Sequence, residues 1–103
     1  MSVENIDNES FEEEVLNSQK DVLIDFYADW CGPCQMLAPI VEEVANENKN
    51  IKVCRINVDD NQELAMKYEV MSIPTLVVIK EGKEIKRKIG LISKDEILEM
   101  LGK

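Results

Sequence analysis

Short runs rich in β-branched residues alternate along the chain with amphipathic stretches, and this alternation restricts the possible architectures. β-branched residues suit the pleated surface of a strand, whereas apolar residues that recur every three or four positions form one face of a helix. Four runs predict β-strands: 22–28, 51–58, 75–79 and 85–89. Strands separated by helices pair in parallel through crossovers, so the pattern predicts an α/β fold.

Caps and periodicity predict the helices. Ser10 with Glu13, and Ser93 with Glu96, each make a capping-box pattern that marks a helix start. Between the first two runs, apolar residues at helical spacing predict a long amphipathic helix with Pro39 inside it, where the ring should bend the axis. The predicted apolar face comprises Met36, Leu37, Ile40, Val41, Val44 and Ala45. A shorter helix is predicted over about 61–68.

The last two strand-like runs are joined by residues 80–84, in which Gly82 can take the positive φ of a tight turn. These runs should therefore form an antiparallel hairpin, and residues 3–6 are the candidate for an added edge strand. The expected architecture is a mixed central sheet of parallel strands plus a C-terminal antiparallel hairpin, flanked by helices on both faces. One domain is expected, spanning 1–103.

The charge pattern removes several classes of function. The formal net charge is -9 and the chain has no histidine. Nucleic acids and anionic membranes attract clustered Lys and Arg, so neither is expected as a partner. Catalysis that depends on histidine and imidazole metal ligation are excluded. The start of the chain has neither the positive nor the apolar region of an export signal, and no run is long enough to span a bilayer, so a cytoplasmic location is expected.

The segment Trp30-Cys31-Gly32-Pro33-Cys34 carries the reactive chemistry. It begins where a predicted strand ends and a helix starts, so free backbone N–H groups and the helix dipole favour a thiolate at Cys31. Spacing of three residues on a helical turn brings Cys34 beside it, where it can resolve a mixed disulfide. Gly32 allows another backbone to come close, and Pro33 is tolerated in the first helical turn. Trp30 supplies an apolar rim.

Two other interpretations of the cysteine pair are a structural zinc half-site and two inert core thiols. Zinc usually takes four protein ligands, whereas this chain offers one further cysteine and no histidine. No metal and no bound cofactor are therefore expected. The remaining cysteine, Cys54, lies in a strand-like run and is interpreted as a small buried hydrophobic residue, with a regulatory thiol as the alternative.

Asp25 interrupts the apolar run that begins at Val22. A buried carboxylate at this position would be costly unless it were protonated, paired or functional. Loss of solvent should raise its pKa towards neutrality, which suits an acid or a base in a chain without histidine. The alternative is an exposed aspartate on the outer side of an alternating strand.

Three separated segments together resemble the thioredoxin family, and the resemblance covers essentially the whole chain. They are the stretch from Asp25 to Cys34, the tripeptide Ile73-Pro74-Thr75, and Gly90. The resemblance implies a thioredoxin fold and dithiol–disulfide exchange. It makes Cys31 the nucleophile, Cys34 the resolving cysteine and Asp25 the proton acceptor for Cys34.

The same resemblance implies a substrate-binding face around the cysteine pair. The Ile73-Pro74 peptide bond would be cis and face the cysteines, which leaves the backbone of Ile73 free to pair with a bound chain. Gly90 would let the partner approach. The alternatives are an ordinary proline at a strand entry and an ordinary turn glycine. The full set of substrate-binding residues is then Trp30, Gly32, Pro33, Ile73, Pro74 and Gly90.

By resemblance the chain is a monomeric reductant of oxidised protein substrates that a thioredoxin reductase reduces again. Two alternatives use the same fold. One is a docking subunit whose cysteines are dispensable, and the other is an oxidant or isomerase, which only the redox potential distinguishes.

The sequence departs from the family pattern at three positions near the site. Tyr27 stands where the family most often has a tryptophan, and Gln35 stands where a basic residue often follows the second cysteine. Arg55 stands where a lysine often neighbours the buried aspartate. Arginine keeps its positive charge, so Arg55 is expected to tune Asp25 without exchanging a proton with it.

Overall fold

The computed structural model describes residues 3–103, and within them the elements follow the predicted order. The strands are β1 (Val3–Asn5), β2 (Val22–Tyr27), β3 (Lys52–Asn57), β4 (Thr75–Lys80) and β5 (Lys83–Ile89). The helices are α1 (Gly32–Glu47), α2 (Gln62–Lys67) and α3 (Lys94–Met100), and a π-helical turn spans Glu12–Leu16. The predicted strands are confirmed, with ends that differ by one or two residues.

The strands form one mixed sheet in the order β1-β3-β2-β4-β5. β3 is parallel to both β1 and β2, whereas β4 is antiparallel to β2 and to β5. The central strand is therefore β2, and Asp25 in its middle lies opposite Arg55 on one side and Leu76 on the other. The predicted mixed sheet, with parallel strands, a C-terminal antiparallel hairpin and helices on both faces, is confirmed.

Apolar side chains fill both faces of the sheet, because successive residues of a strand point to opposite sides. Val22, Ile24 and Phe26 of β2 pack in one cluster with the π-helical turn and α2. Leu23 packs in the other cluster with α1 and α3. Asp25 and Tyr27 follow Leu23 at intervals of two, so they belong to the α1 face. No helix in residues 3–103 has the length and apolarity needed to cross a bilayer.

The hairpin between β4 and β5 is tighter than the sequence suggests. Lys80 pairs with Lys83, and the two residues between them, Glu81 and Gly82, have φ of 52° and 79°. Positive φ at both central positions is the mark of a type I′ turn, whose twist matches that of the strands. The register shifts between Val78 and Ile79, so β5 carries a bulge.

Two predictions about helices are wrong. Ser10 does not form a capping box with Glu13, because its side chain is hydrogen-bonded to Asp7 instead. The Asp7 carboxylate accepts from the N–H (2.9 Å) and the hydroxyl (3.0 Å) of Ser10. Met36 does not join the apolar face of α1 but is 63% exposed.

The capping box of Ser93 and Glu96 is confirmed at the start of α3. α1 continues past Pro39, and the bend expected there stays a prediction.

Candidate active site

The cysteine pair lies at the start of α1, immediately after the carboxyl end of β2. Cys31 is the N-cap of the helix with an extended backbone (φ -87°, ψ 111°), and Gly32 and Pro33 open the first turn. The backbone N–H of Cys34 donates to Sγ of Cys31 at 3.2 Å. A free N–H of the first turn thus points at the first sulfur, which is the arrangement that favours a thiolate there.

Cys31 and Cys34 form a disulfide with their Cα atoms 5.2 Å apart. The two cysteines differ in exposure, because Cys31 keeps 5% of its surface exposed and Cys34 is fully buried. The surface around Cys31 is open as well: a Cβ built on Gly32 would meet no atom within 4 Å. Of the two cysteines, Cys31 is therefore the one nearer the surface.

The Ile73-Pro74 peptide bond is cis, as the family resemblance implied. The carbonyl oxygen of Ile73 lies 3.8 Å from Sγ of Cys31, so this loop faces the cysteine pair. Gly90 adjoins the same loop, since its N–H donates to the carbonyl of Pro74 at 2.8 Å. Its φ of 97° requires glycine, and there is open space where a Cβ would be.

Trp30 is 71% exposed beside Cys31, and its orientation is fixed by a hydrogen bond that the sequence analysis missed. The indole Nε1 donates to Oδ2 of Asp59 at 2.8 Å, and the backbone N–H of Asp59 donates to Oδ1 of Asn57. Asn57 ends β3, which runs parallel to β2, and the carboxyl ends of parallel strands share one edge of a sheet. Polar residues just after β3 were therefore candidates for contact with residues just after β2.

Gln35 makes a further hydrogen bond to the loop between β2 and α1. Its Nε2 donates to the carbonyl oxygen of Asp29 at 2.9 Å. The Asp29 side chain in turn accepts from Asn57 at 3.4 Å. Where the family often has a basic residue, this chain thus has a side chain that joins the first turn of α1 to the loop before Cys31.

Asp25 is fully buried, so the alternative of an exposed aspartate is wrong. Oδ2 accepts from Nε of Arg55 at 3.3 Å, while Oδ1 is buried without a hydrogen-bond partner. Burial raises the pKa of the Asp25 carboxyl from its usual 3.8 to about 6, and the charge and hydrogen bond of Arg55 oppose that rise. The site thus contains a group that can exchange a proton near neutral pH.

Cys54 is the free cysteine of the described chain, and it is fully buried, as predicted. Burial raises the pKa of its thiol to about 12. Little thiolate therefore forms at neutral pH, which argues against the alternative of a regulatory thiol. Residues 3–103 contain no group of three or more Cys, Asp or Glu side chains arranged to hold a metal ion.

Comparison with known proteins gives consistent matches over nearly the full length. A family model described as Thioredoxin matches residues 2–103. Thioredoxin from Pyropia yezoensis is 44% identical over 104 residues, which cover 100% of this chain and 97% of that protein. Thioredoxin from Pseudomonas aeruginosa is 43% identical over 98 residues (94% of this chain, 91% of that protein). Thioredoxin from Mycoplasmoides gallisepticum is 40% identical over 99 residues (96% and 99%).

Proposed function

The chain belongs to the thioredoxin family and is a disulfide oxidoreductase, and from that premise we propose that it reduces disulfide bonds in other proteins. Cys31 and Cys34 carry the two electrons. The observation that carries this proposal is the asymmetry of the pair: the sulfur of Cys31, the more exposed residue, accepts an N–H of the helix terminus, whereas Cys34 is fully buried.

The reaction proceeds in two exchanges. The Cys31 thiolate attacks one sulfur of the substrate disulfide, forms a mixed disulfide and expels the other substrate sulfur as a thiolate. Asp25 then accepts the proton of Cys34, and the Cys34 thiolate attacks Sγ of Cys31. The second substrate sulfur leaves, so the substrate gains two electrons and the pair becomes a disulfide.

Substrate binding is assigned to the surface around Cys31. Trp30, Gly32 and Pro33 form one side of it, and the loop of Ile73 and Pro74 with Gly90 forms the other. The backbone of Ile73 beside Cys31 suits pairing with an extended substrate segment, which would hold the scissile disulfide next to the nucleophile.

The oxidised pair needs an external reductant, and we assign that role to a thioredoxin reductase. The chain would act as a single-domain monomer without a cofactor of its own, in the cytoplasm, on oxidised protein substrates. Support comes from the family membership and from the Gly-Pro between the cysteines.

Serine variants of the three cysteines test the assignment of roles. Cys31→Ser should abolish the reduction of insulin disulfides, because the attacking sulfur is gone. Cys34→Ser should accumulate a mixed disulfide, which is visible as a covalent adduct by non-reducing electrophoresis. Cys54→Ser is the matched control and should keep full turnover. Full activity of Cys31→Ser would overturn the proposal.

The direction of electron flow is tested separately by redox titration of the Cys31/Cys34 pair against glutathione. If the protein is a reductant, the Cys31/Cys34 pair should stay oxidised in most of the glutathione mixtures. It should become reduced only at high ratios of reduced to oxidised glutathione. A pair that is reduced already under mildly oxidising conditions would instead identify an oxidant or an isomerase.

A further inference from the structure

Tyr27 and Arg55 form a stacked pair directly beside Asp25. The guanidinium carbon of Arg55 lies 3.7 Å from the centroid of the Tyr27 ring. The same guanidinium group donates from Nε to Oδ2 of Asp25 at 3.3 Å. One arginine thus joins an aromatic ring and a buried carboxyl group.

The sheet register produces this arrangement. Asp25 of β2 lies directly opposite Arg55 of β3, and Tyr27 lies two residues further along β2, opposite Asn57. Residues two apart on a strand share a face, so the Arg55 side chain meets Asp25 directly and Tyr27 on the diagonal. The Arg55 head group therefore has both neighbours within reach from a single rotamer.

Arg55 has other anions available to it. Its side chain is 23% exposed, and it lines an open concavity together with Tyr27 and the acidic residues Asp7, Glu9 and Asp60. A long, flexible arginine beside such a concavity would be drawn towards solvent-exposed carboxylates. The aromatic ring opposes that movement, because a guanidinium group over a ring gains a cation–π contact.

We propose that Tyr27 is a positioning residue: its ring holds the guanidinium group of Arg55 against the buried carboxyl group of Asp25. This inference rests on the proposed function in one respect, namely that Asp25 accepts the proton of Cys34. Tyr27 itself touches neither the substrate nor the reacting sulfurs in this role, and it acts through Arg55 alone.

Arg55 is the charged group that faces Asp25. From β4 the opposite residue is Leu76, which is apolar, and burial and Arg55 are the causes of the pKa shift of Asp25. Desolvation raises the pKa of Asp25 and Arg55 lowers it. Release of the guanidinium group should therefore raise that pKa further and leave the burial of the carboxyl group unchanged.

The test compares Tyr27→Leu with Tyr27→Phe in the oxidised protein, where the disulfide-bonded Cys31 and Cys34 do not titrate. The readout is the pKa of Asp25, measured by the pH dependence of its carboxyl carbon in an NMR spectrum. Tyr27→Leu should raise the value by about 0.4 to 0.7 unit, which is the free energy of one cation–π contact converted at about 1.4 kcal/mol per pKa unit. Tyr27→Phe keeps the ring and should shift it by less than about 0.2 units.

Arg55→Met completes the test, because it removes the guanidinium group that the Tyr27 ring positions. It should raise the pKa of Asp25 at least as far as Tyr27→Leu does, and the double variant should add nothing further. Equal shifts from Tyr27→Leu in the presence and absence of Arg55 would overturn the proposal. An unchanged pKa in Tyr27→Leu would overturn it as well.

Failure of the proposed function gives a different result. If Asp25→Asn resolves the mixed disulfide at the wild-type rate and with the wild-type pH profile, Asp25 is not the proton acceptor. The NMR comparison of the Tyr27 variants still decides whether the ring positions Arg55. If Asp25 does accept the proton, the pH profile of mixed-disulfide resolution should shift upwards in Tyr27→Leu by the same amount as the measured pKa.

Discussion

Asp25 places a carboxyl group in the apolar centre of the sheet, and this has a consequence for stability. Its pKa rises from 3.8 to about 6 on folding because burial favours the protonated form. Between about pH 4 and about pH 6 the folded state keeps a proton that the unfolded state has released, so stability falls as the pH rises through this interval. A rise of about 2 units corresponds to about 3 kcal/mol.

Asp25→Asn should therefore be more stable than the wild type at pH 7, by up to about 3 kcal/mol, since the amide cannot ionise. The difference should shrink as the pH falls and vanish below about pH 3, where the wild-type carboxyl group is protonated in both states. Urea unfolding at several pH values measures it. Asp60→Asn, at an exposed position, is the control and should show no such trend. A constant difference between the two proteins at all pH values would contradict the explanation.

The residues that carry the proposed chemistry could be read from the sequence, but part of their setting could not. The cysteine pair, Asp25 and the proline of the facing loop all stand out by local pattern or by family resemblance. The hydrogen bond between Trp30 and Asp59 and the stacking of Arg55 on Tyr27 depend instead on which strands are neighbours. Asp59 reaches Trp30 only because β3 lies beside β2, and a linear sequence does not state that order.

At the scale of elements, the same Ser-x-x-Glu pattern has two outcomes in this chain. Ser93 accepts from the N–H of Glu96 and forms a full capping box, whereas Ser10 bonds to Asp7. The Ser-x-x-Glu pattern covers four residues, so it does not include the Asp7 carboxylate three residues before Ser10, which competes for the serine. The strands are predicted more reliably. The β-branched runs of β2, β3 and β4 occupy largely buried positions, and the exposed β5 is marked by the turn residues that join it to β4.

The ends of α2 and α3 share one backbone motif but differ in the residue that needs a positive φ. After α2, the N–H of Val70 bonds to the carbonyl of Ala65, and Glu69 has φ 52°. After α3, the N–H of Lys103 bonds to the carbonyl of Leu98, and Gly102 has φ 78°. Both are Schellman motifs, in which glycine is strongly preferred at the left-handed position. α2 therefore ends on a strained glutamate.

Glu69→Gly should stabilise the protein by about 0.5 to 1 kcal/mol, because relief of left-handed strain exceeds the added entropy of the unfolded chain. Gly102→Ala is the matched converse and should destabilise by a similar amount. Thermal unfolding of both variants measures the effect. A loss of stability in Glu69→Gly would show that the side chain of Glu69, and not its backbone, matters at this position.

At the scale of the whole molecule, the charge is distributed unevenly around the proposed site. The chain carries a net charge of -9, yet five of its twelve cationic side chains lie within residues 80–88. Near Trp30, by contrast, Asp29 and Asp59 are exposed, and the exposed Asp60 follows Asp59 in the chain. We therefore expect a negative potential at the proposed site, which should speed the encounter with cationic partners and slow it with anionic ones.

A matched pair of disulfide peptides tests this steering, one with lysines and one with glutamates at the same positions flanking the disulfide. The lysine peptide should be reduced faster by about tenfold at low ionic strength, within the range of electrostatic steering. The ratio should approach unity at high salt, because the screening length falls from about 30 Å at 0.01 M to about 3 Å at 1 M. Asp60→Lys should lower the ratio at low salt without changing the rate at high salt, since the substitution leaves Cys31, Cys34 and Asp25 in place. Equal rates for both peptides at low ionic strength would mean that the acidity of the chain does not select its substrates.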